Sequence, residues 1–121
     1  MVRSRFNDAL LYAIDFAFHS LGESCQHALY FHLEKNFHIE RVKIPEKIEE
    51  FDRALRLIFK DGAFFLERLI LQKLCEELEL KFEGNCFDFV KAIFKIKSMT
   101  LEGASMLTDL YFREIHVVGS E

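Results

Sequence analysis

Apolar side chains recur at spacings of three and four residues through most of this sequence, which is the pattern of one face of an α-helix. Residues that form turns are scarce, because the 121 residues include only one proline and five glycines. A small β-sandwich needs turn residues every few positions, so this scarcity argues against that class of fold. Half of the residues are hydrophobic and 30% are charged, which is typical of a chain that folds around one core. We therefore predict one all-α domain, 1–121, built as a compact bundle of five to six helices.

Glycine, proline and capping residues predict where these helices begin and end. Gly22 suits the end of the first helix, and Ser24 suits the N-cap of the second. Pro45 is expected to open the third helix, and Gly62 to separate it from the fourth. The predicted helices then cover about 4–21, 24–37, 45–61, 63–80, 87–97 and 101–115. Residues 98–121 would form a C-terminal extension of the bundle.

The fourth helix, over about 63–80, is predicted to be the central and most buried one. Phe65, Leu69 and Leu71 accompany its main stripe, so apolar side chains cover more than one of its sides. The charged residues of this helix, Glu67 among them, are expected to occupy the remaining exposed strip.

The segment 39–44 alternates apolar and charged residues in the manner of a strand. The sequence offers no second strand to pair with it, and an isolated strand is not stable. We interpret the segment as an extended connection whose apolar side chains lie on the helices.

No pattern in the sequence predicts an enzyme. Neither phosphate-binding glycine motif is present, and five scattered glycines cannot build one. Glu23 lies four residues from both His19 and His27, which is a helical metal-ligand spacing. Gly22, however, is expected to interrupt the helix between His19 and Glu23. Surface or helix-end histidines are the simpler interpretation. We predict no catalytic residue, no metal and no cofactor.

The three cysteines, Cys25, Cys75 and Cys86, form no C-x-x-C pair and are odd in number. They are typical of reduced thiols in a cytoplasmic protein. Cys75 falls on an apolar side and should behave as a small hydrophobe. Cys86 lies near the start of the fifth helix but lacks the surrounding signature of a catalytic thiol. No apolar run approaches the roughly 20 residues that span a bilayer, so we predict no membrane segment.

The net charge of −4 provides no overall attraction to nucleic acids. The candidate nucleic-acid site is a local basic edge of Lys91, Lys95 and Lys97. Acidic residues are interleaved with the basic ones, and no recognition-helix pattern accompanies them, so nucleic-acid association is an alternative function. A third hypothesis is a small-molecule sensor with a pocket between the first, fourth and fifth helices.

Phenylalanine supplies 14 of the 17 aromatic residues, which is more than one small core can hide. The surplus predicts an exposed apolar patch, and such a patch usually marks an interface. The final helix is the best candidate to pair with another chain, through Leu107, Leu110, Tyr111 and Phe112. We therefore predict a small regulatory or protein-interaction module. It would dock an apolar helical surface onto a second copy of itself, as a homodimer, or onto a signalling partner.

Short stretches spread over about residues 6–96 carry a family resemblance. They combine core, cap and turn residues, and they include LGES at 21–24, ALYFHLE at 28–34, IP at 44–45, DGA at 61–63 and LKF at 80–82. Together they resemble a small archaeal all-helical family of uncharacterised function, whose modules occur alone or beside receiver domains as signalling output modules. His38 departs from the family pattern, which has glycine there, and the residues after Ser98 lie outside it. The resemblance implies an archaeal cytoplasmic protein that binds a partner and carries no catalytic motif.

Overall fold

The fold is an all-α bundle, as the periodicity predicts. A computed structural model describes residues 5–81 and 88–100, and within these ranges it contains five α-helices, one 3₁₀ turn and no strand. The elements are α1 (Arg5–His19), α2 (Glu23–Phe37), the 3₁₀ turn (Arg41–Glu46), α3 (Ile48–Phe59), α4 (Gly62–Glu77) and α5 (Phe89–Met99). The longest helix has 16 residues, and none of the described helices is both long and apolar enough to cross a bilayer.

The helix at the centre of the bundle is α4, which confirms the predicted central helix. It packs against α1, α3 and α5, whereas α2 lies on the outside against α1 and α3. Most of its buried side chains are apolar and follow the expected stripe, namely Ala63, Leu66, Ile70, Leu71, Leu74 and Cys75. The stripe is wide because α4 has neighbours on several sides, and a wide apolar stripe is what such a position requires.

Three phenylalanines from different helices meet in the core. Phe18 of α1, Phe51 of α3 and Phe89 of α5 are all fully buried. The ring centroid of Phe51 lies 6.3 Å from that of Phe18 and 6.2 Å from that of Phe89, which is contact range for aromatic pairs. Phe51 therefore connects α1 to α5 through the core and holds α5 against α3.

The start of α2 differs from the prediction. Gly22 is the N-cap residue and has φ 114°, a backbone conformation that glycine adopts far more readily than residues with a side chain. Ser24 lies inside the helix and caps nothing, so the prediction that Ser24 is the cap is wrong. The chain turns between α1 and α2 at the one residue that tolerates positive φ, and α2 begins directly after it.

The segment after α2 is also different from the prediction. Residues 41–46 form the 3₁₀ turn rather than an extended connection, and Pro45 lies inside that turn. The third helix begins at Ile48, so the prediction that Pro45 opens it is wrong. Ile39 and Ile44 are buried against the helices, as expected of the apolar residues in this segment. Curling into a 3₁₀ turn allows both isoleucines to reach the core, although their spacing in the sequence looks strand-like.

Gly62 does not separate α3 from α4, because it is the first residue of α4. The chain turns two residues earlier, at Lys60, which has φ 55° and ψ −126°. At the far end of the described chain α5 runs to Met99, so the start of the predicted C-terminal extension belongs to this helix. The predicted sixth helix over 101–115 lies outside the described residues.

Candidate functional site

A groove runs between α3 and α5. It is open to solvent along its length and has a volume of about 620 Å³. Helix α3 contributes four residues that share one face because they are spaced by three and four, and α5 contributes four from its first two turns. The lining residues are Glu49, Asp52, Arg53 and Arg56 from α3 and Asp88, Val90, Lys91 and Phe94 from α5.

Behind the floor of the groove lies Glu67 of α4, the one polar residue in the buried core of the described chain. The residue is only 1% exposed, and its Oε2 atom has no hydrogen-bond partner. Burial raises the pKa of this carboxyl to about 9, and a hydrogen bond with the Asp52 side chain raises it in the same direction, against the opposing effect of Arg56. Glu67 is therefore protonated at neutral pH and donates a hydrogen bond to Asp52.

The burial of Glu67 corrects the expectation that it occupies an exposed strip of α4. A signal for burial is present in the sequence, because Glu67 follows Ala63 by four residues and precedes Ile70 by three. These spacings place it on the apolar stripe of the helix. Only the fold shows that Asp52 of α3 lies beside it, since the two residues are on different helices.

Two of the three acidic residues in the groove are engaged by other groups. Asp52 Oδ1 accepts a hydrogen bond from Arg56 Nε at 3.2 Å, in addition to its bond with Glu67. Asp88 is the N-cap of α5, and its Oδ1 accepts from the backbone N–H of Lys91 at 3.1 Å. The acidic side chain that remains without such a bond among the described residues is Glu49.

The basic side chains of the groove are less engaged. Arg56 uses its Nε toward Asp52, while the side chain as a whole is 61% exposed. The hydrogen bond with Asp52 raises the pKa of Arg56, so Arg56 remains positively charged. Arg53 and Lys91 are exposed, and their side chains have no partner within residues 5–81 and 88–100. The groove therefore offers three positively charged groups to solvent.

The structure only partly assembles the predicted nucleic-acid edge. Lys91 and Lys95 are exposed and one turn apart on α5, but only Lys91 lines the groove. Lys97 is partly buried and follows Lys95 by two residues, so it lies about 200° further round the helix. The basic residues that the fold does bring together are Lys91 of α5 and Arg53 and Arg56 of α3.

A second polar cluster joins α1, α2 and the 3₁₀ turn. The Tyr30 hydroxyl donates a hydrogen bond to Asp15 Oδ1, and Arg41 donates from Nε to Oδ1 at 3.0 Å and from Nη2 to Oδ2 at 2.5 Å. Burial and the neighbouring Asp15 raise the pKa of Tyr30 well above its ordinary value. The members are 15 and 26 residues apart, so no local pattern could predict the cluster. The Tyr30 hydroxyl and both carboxylate oxygens of Asp15 are hydrogen-bonded within the cluster, which is typical of a structural tie.

The predicted histidine and cysteine candidates do not form a site in the described chain. No group of three or more histidine, cysteine or acidic side chains there is arranged to hold a metal ion. His19 Nδ1 instead lies 3.3 Å from Gln26 Oε1. Cys75 is buried, and burial raises the pKa of its thiol, which confirms its role as a small hydrophobe. Cys86 lies outside the described residues.

Exposed aromatic rings are concentrated where α1 meets α4. Tyr12 and Phe16 of α1 are 49% and 42% exposed, and Phe65 of α4 is 71% exposed. Phe65, Leu69 and Lys73 follow one another at four-residue spacing along one side of α4. The Lys73 Nζ atom lies 5.6 Å from the Tyr12 ring centroid and 4.6 Å from that of Phe16, which joins the two helices into one surface. We call these five residues the aromatic face.

The predicted surplus of phenylalanine is confirmed for the described part of the chain. Phe16 on α1, Phe65 on α4 and Phe94 on α5 are each more than 40% exposed. Phe31 of α2 is 67% exposed but stands apart from the aromatic face on a different helix. The predicted interface residues Leu107, Leu110, Tyr111 and Phe112 all lie outside the described residues.

Comparison with known proteins leaves the family open. No family model matches the sequence, and no curated protein or solved structure is significantly similar to it. The resemblance to the archaeal helical family therefore stays a prediction.

Proposed function

We propose that this protein is an interaction module that forms a homodimer through the aromatic face. The observation that carries the proposal is the exposure of the Tyr12 and Phe16 rings around Lys73, with Phe65 also exposed about two turns along α4 from Lys73. Exposed aromatic residues that lie close together are characteristic of interfaces, whereas single exposed apolar residues are common on any protein.

The size of the aromatic face supports a docking role. With about 200 Å² for a whole aromatic side chain, the exposed fractions of Tyr12, Phe16 and Phe65 leave about 320 Å² of aromatic surface in contact with water. Patches of about 300–600 Å² are the largest on typical monomers and are often functional. A standard interface buries about 800 Å² on each partner, so the rings would form its centre and surrounding polar residues its rim.

The charges around the aromatic face favour a second copy of the same chain as the partner. Lys73 lies among the rings, and its Nζ is 3.4 Å from Glu76 Oε1 and 3.9 Å from Glu77 Oε2. The surface therefore carries both signs of charge close together. In a two-fold symmetric dimer the same patch is used by both copies, and Lys73 of one copy can face a glutamate of the other without repulsion between like charges.

A role in signalling rests on the resemblance to output modules beside receiver domains, and it extends the proposal rather than supports it. A docked signalling partner would use the same apolar surface. Nucleic-acid association through Lys91, Lys95 and Lys97 is less favoured, because Lys97 does not share an edge with the other two.

The homodimer is tested by light scattering on the full chain over a range of concentrations. We expect the wild-type protein to have twice the 14.3 kDa mass of one chain. Phe65→Asp places a charge on the most exposed ring of the aromatic face and should weaken the dimer by about tenfold or more, the usual effect of losing an aromatic anchor. Phe31→Asp is the matched control, because Phe31 is exposed to a similar degree but lies outside the aromatic face.

Two outcomes would refute the proposal. A wild-type protein that remains a 14.3 kDa particle at tens of micromolar is not a homodimer. Equal dissociation by Phe31→Asp and Phe65→Asp would show that the aromatic face is not the interface.

A further inference from the structure

We propose that the groove between α3 and α5 binds a small organic anion. Its phosphate or carboxylate group would lie against Arg53, Arg56 and Lys91, and its apolar portion would contact Phe94. The proposed homodimer uses a different surface, so this inference stands independently of it.

Arg56 is arranged as an anion-binding residue. Its Nε is held by Asp52 at 3.2 Å, which fixes the plane of the guanidinium group. Arg56 lines the groove, and its side chain is 61% exposed. A guanidinium that is oriented in this way loses little conformational freedom when it forms paired hydrogen bonds with a phosphate or carboxylate. Arg53 and Lys91 add two positive charges from the two sides of the groove.

Glu67 is the second, independent observation. A buried carboxyl with an unpartnered oxygen is costly to a fold, and such groups concentrate at functional sites. The charged groups that face it are Asp52 and Arg56 from α3 and Asp88 from α5, and all three line the groove. By donating a hydrogen bond to Asp52, the protonated Glu67 orients the carboxylate that holds Arg56 and adds no negative charge beneath the ligand. Glu67 is thus a positioning residue.

The balance of free charges selects an anion over a cation. Asp52 is bonded to Arg56 and Glu67, and Asp88 is bonded to the backbone of α5. The charged groups of the groove that keep no partner in the described chain are then Arg53, Lys91 and Glu49, and Glu49 lies at the opposite end of the α3 stripe from Arg56. A cation would meet this positive end, whereas an anion would be attracted by it.

The apolar wall indicates an organic anion rather than a bare ion. Val90 and Phe94 line the groove beside the basic groups, and Phe94 is 49% exposed. An exposed aromatic ring next to an anion-binding group can stack on a ring of the ligand. The volume of about 620 Å³ is large enough for a molecule the size of a mononucleotide or an aromatic acid.

Isothermal titration calorimetry on the full chain tests the proposal. The probes are adenosine monophosphate, benzoate and inorganic phosphate, with adenosine as the uncharged comparison. We expect saturable binding of at least one organic anion and none of adenosine. Arg56→Gln should weaken that binding by about tenfold or more, because a charge-assisted hydrogen bond is lost. Lys95→Gln is the matched control, since Lys95 is exposed on α5 but does not line the groove. The stronger of the phosphate and carboxylate probes identifies the anionic group.

Two further variants separate the parts of the site. Phe94→Ala should weaken binding of the organic anion but leave binding of inorganic phosphate unchanged. Glu67→Gln should preserve binding, because an amide N–H can donate the same hydrogen bond to Asp52, whereas Glu67→Leu should weaken binding. Absence of saturable binding by all three anions at about 10 mM, well above the millimolar range of weak ligands, overturns the proposal. Equal effects of Arg56→Gln and Lys95→Gln would also overturn it.

Discussion

Replacing the buried acid Glu67 by glutamine should make the protein more stable at neutral pH. The folded protein holds a proton on Glu67 because the pKa of that carboxyl is about 9, compared with an ordinary value of 4.5. The unfolded chain exposes the carboxyl to water and releases this proton above pH 4.5. Between these two pKa values the folded state binds more protons than the unfolded state, so the free energy of unfolding falls as the pH rises.

The magnitude follows from the size of the pKa shift. Each unit of pKa difference corresponds to about 1.4 kcal/mol, and pH 7 lies about 2.5 units above the ordinary pKa of a glutamate, so the loss at pH 7 is about 3.5 kcal/mol. Glutamine is neutral at every pH, has nearly the same shape, and can donate an N–H to Asp52. Glu67→Gln should therefore raise the free energy of unfolding at pH 7 by about 3 kcal/mol. At pH 4 the two proteins should be nearly equal.

Urea unfolding followed by circular dichroism at pH 4, 5.5, 7 and 8.5 measures this difference. We expect the gap between Glu67→Gln and the wild-type protein to widen steadily with pH. Glu34→Gln is the control, because Glu34 is exposed on α2 and its replacement should leave the pH dependence unchanged. Equal stability of the wild-type protein and Glu67→Gln at pH 7, with parallel pH profiles, would refute the assignment of a buried, protonated carboxyl.

Two other substitutions test local features of the fold. Tyr30→Phe removes the hydroxyl that donates to Asp15 and should lower the free energy of unfolding by about 1–2 kcal/mol. Tyr12→Phe, on the exposed aromatic face, is the control and should have almost no effect. Equal effects of the two substitutions would contradict the structural role of the Tyr30 hydrogen bond. His38→Gly should stabilise the protein by up to about 1 kcal/mol, because His38 ends α2 in a left-handed conformation with φ 58° that favours glycine. The control, His27→Gly inside α2, should instead destabilise the protein by about 1 kcal/mol. Thermal unfolding measures both variants, and effects of the same sign would contradict the prediction.

The fold class follows from the sequence because helical periodicity is a local property. The spacing of apolar residues identifies every helix of the described chain and the central position of α4, and the phenylalanine count anticipates exposed aromatic rings on α1, α4 and α5. Helix ends are less predictable from sequence. Ser24 and Pro45 have the right chemistry for helix starts, but the chain begins its helices at Glu23 and Ile48. Packing of neighbouring apolar residues against the core decides these boundaries, and it outweighs preferences worth about 1 kcal/mol.

The candidate sites required the tertiary structure. Glu67 and Asp52 lie on different helices, as do Arg56 and Lys91, and no spacing within one helix shows that such residues are neighbours. The same holds for Tyr12 and Phe16 of α1 beside Lys73 of α4. The sequence by itself determined that this chain forms helices with more apolar surface than one core needs. The reason is that the side of a helix on which a residue lies depends only on its spacing from nearby residues in the sequence. The tertiary structure alone decided which of those helix sides meet, and therefore which charges share a groove and which rings share a face.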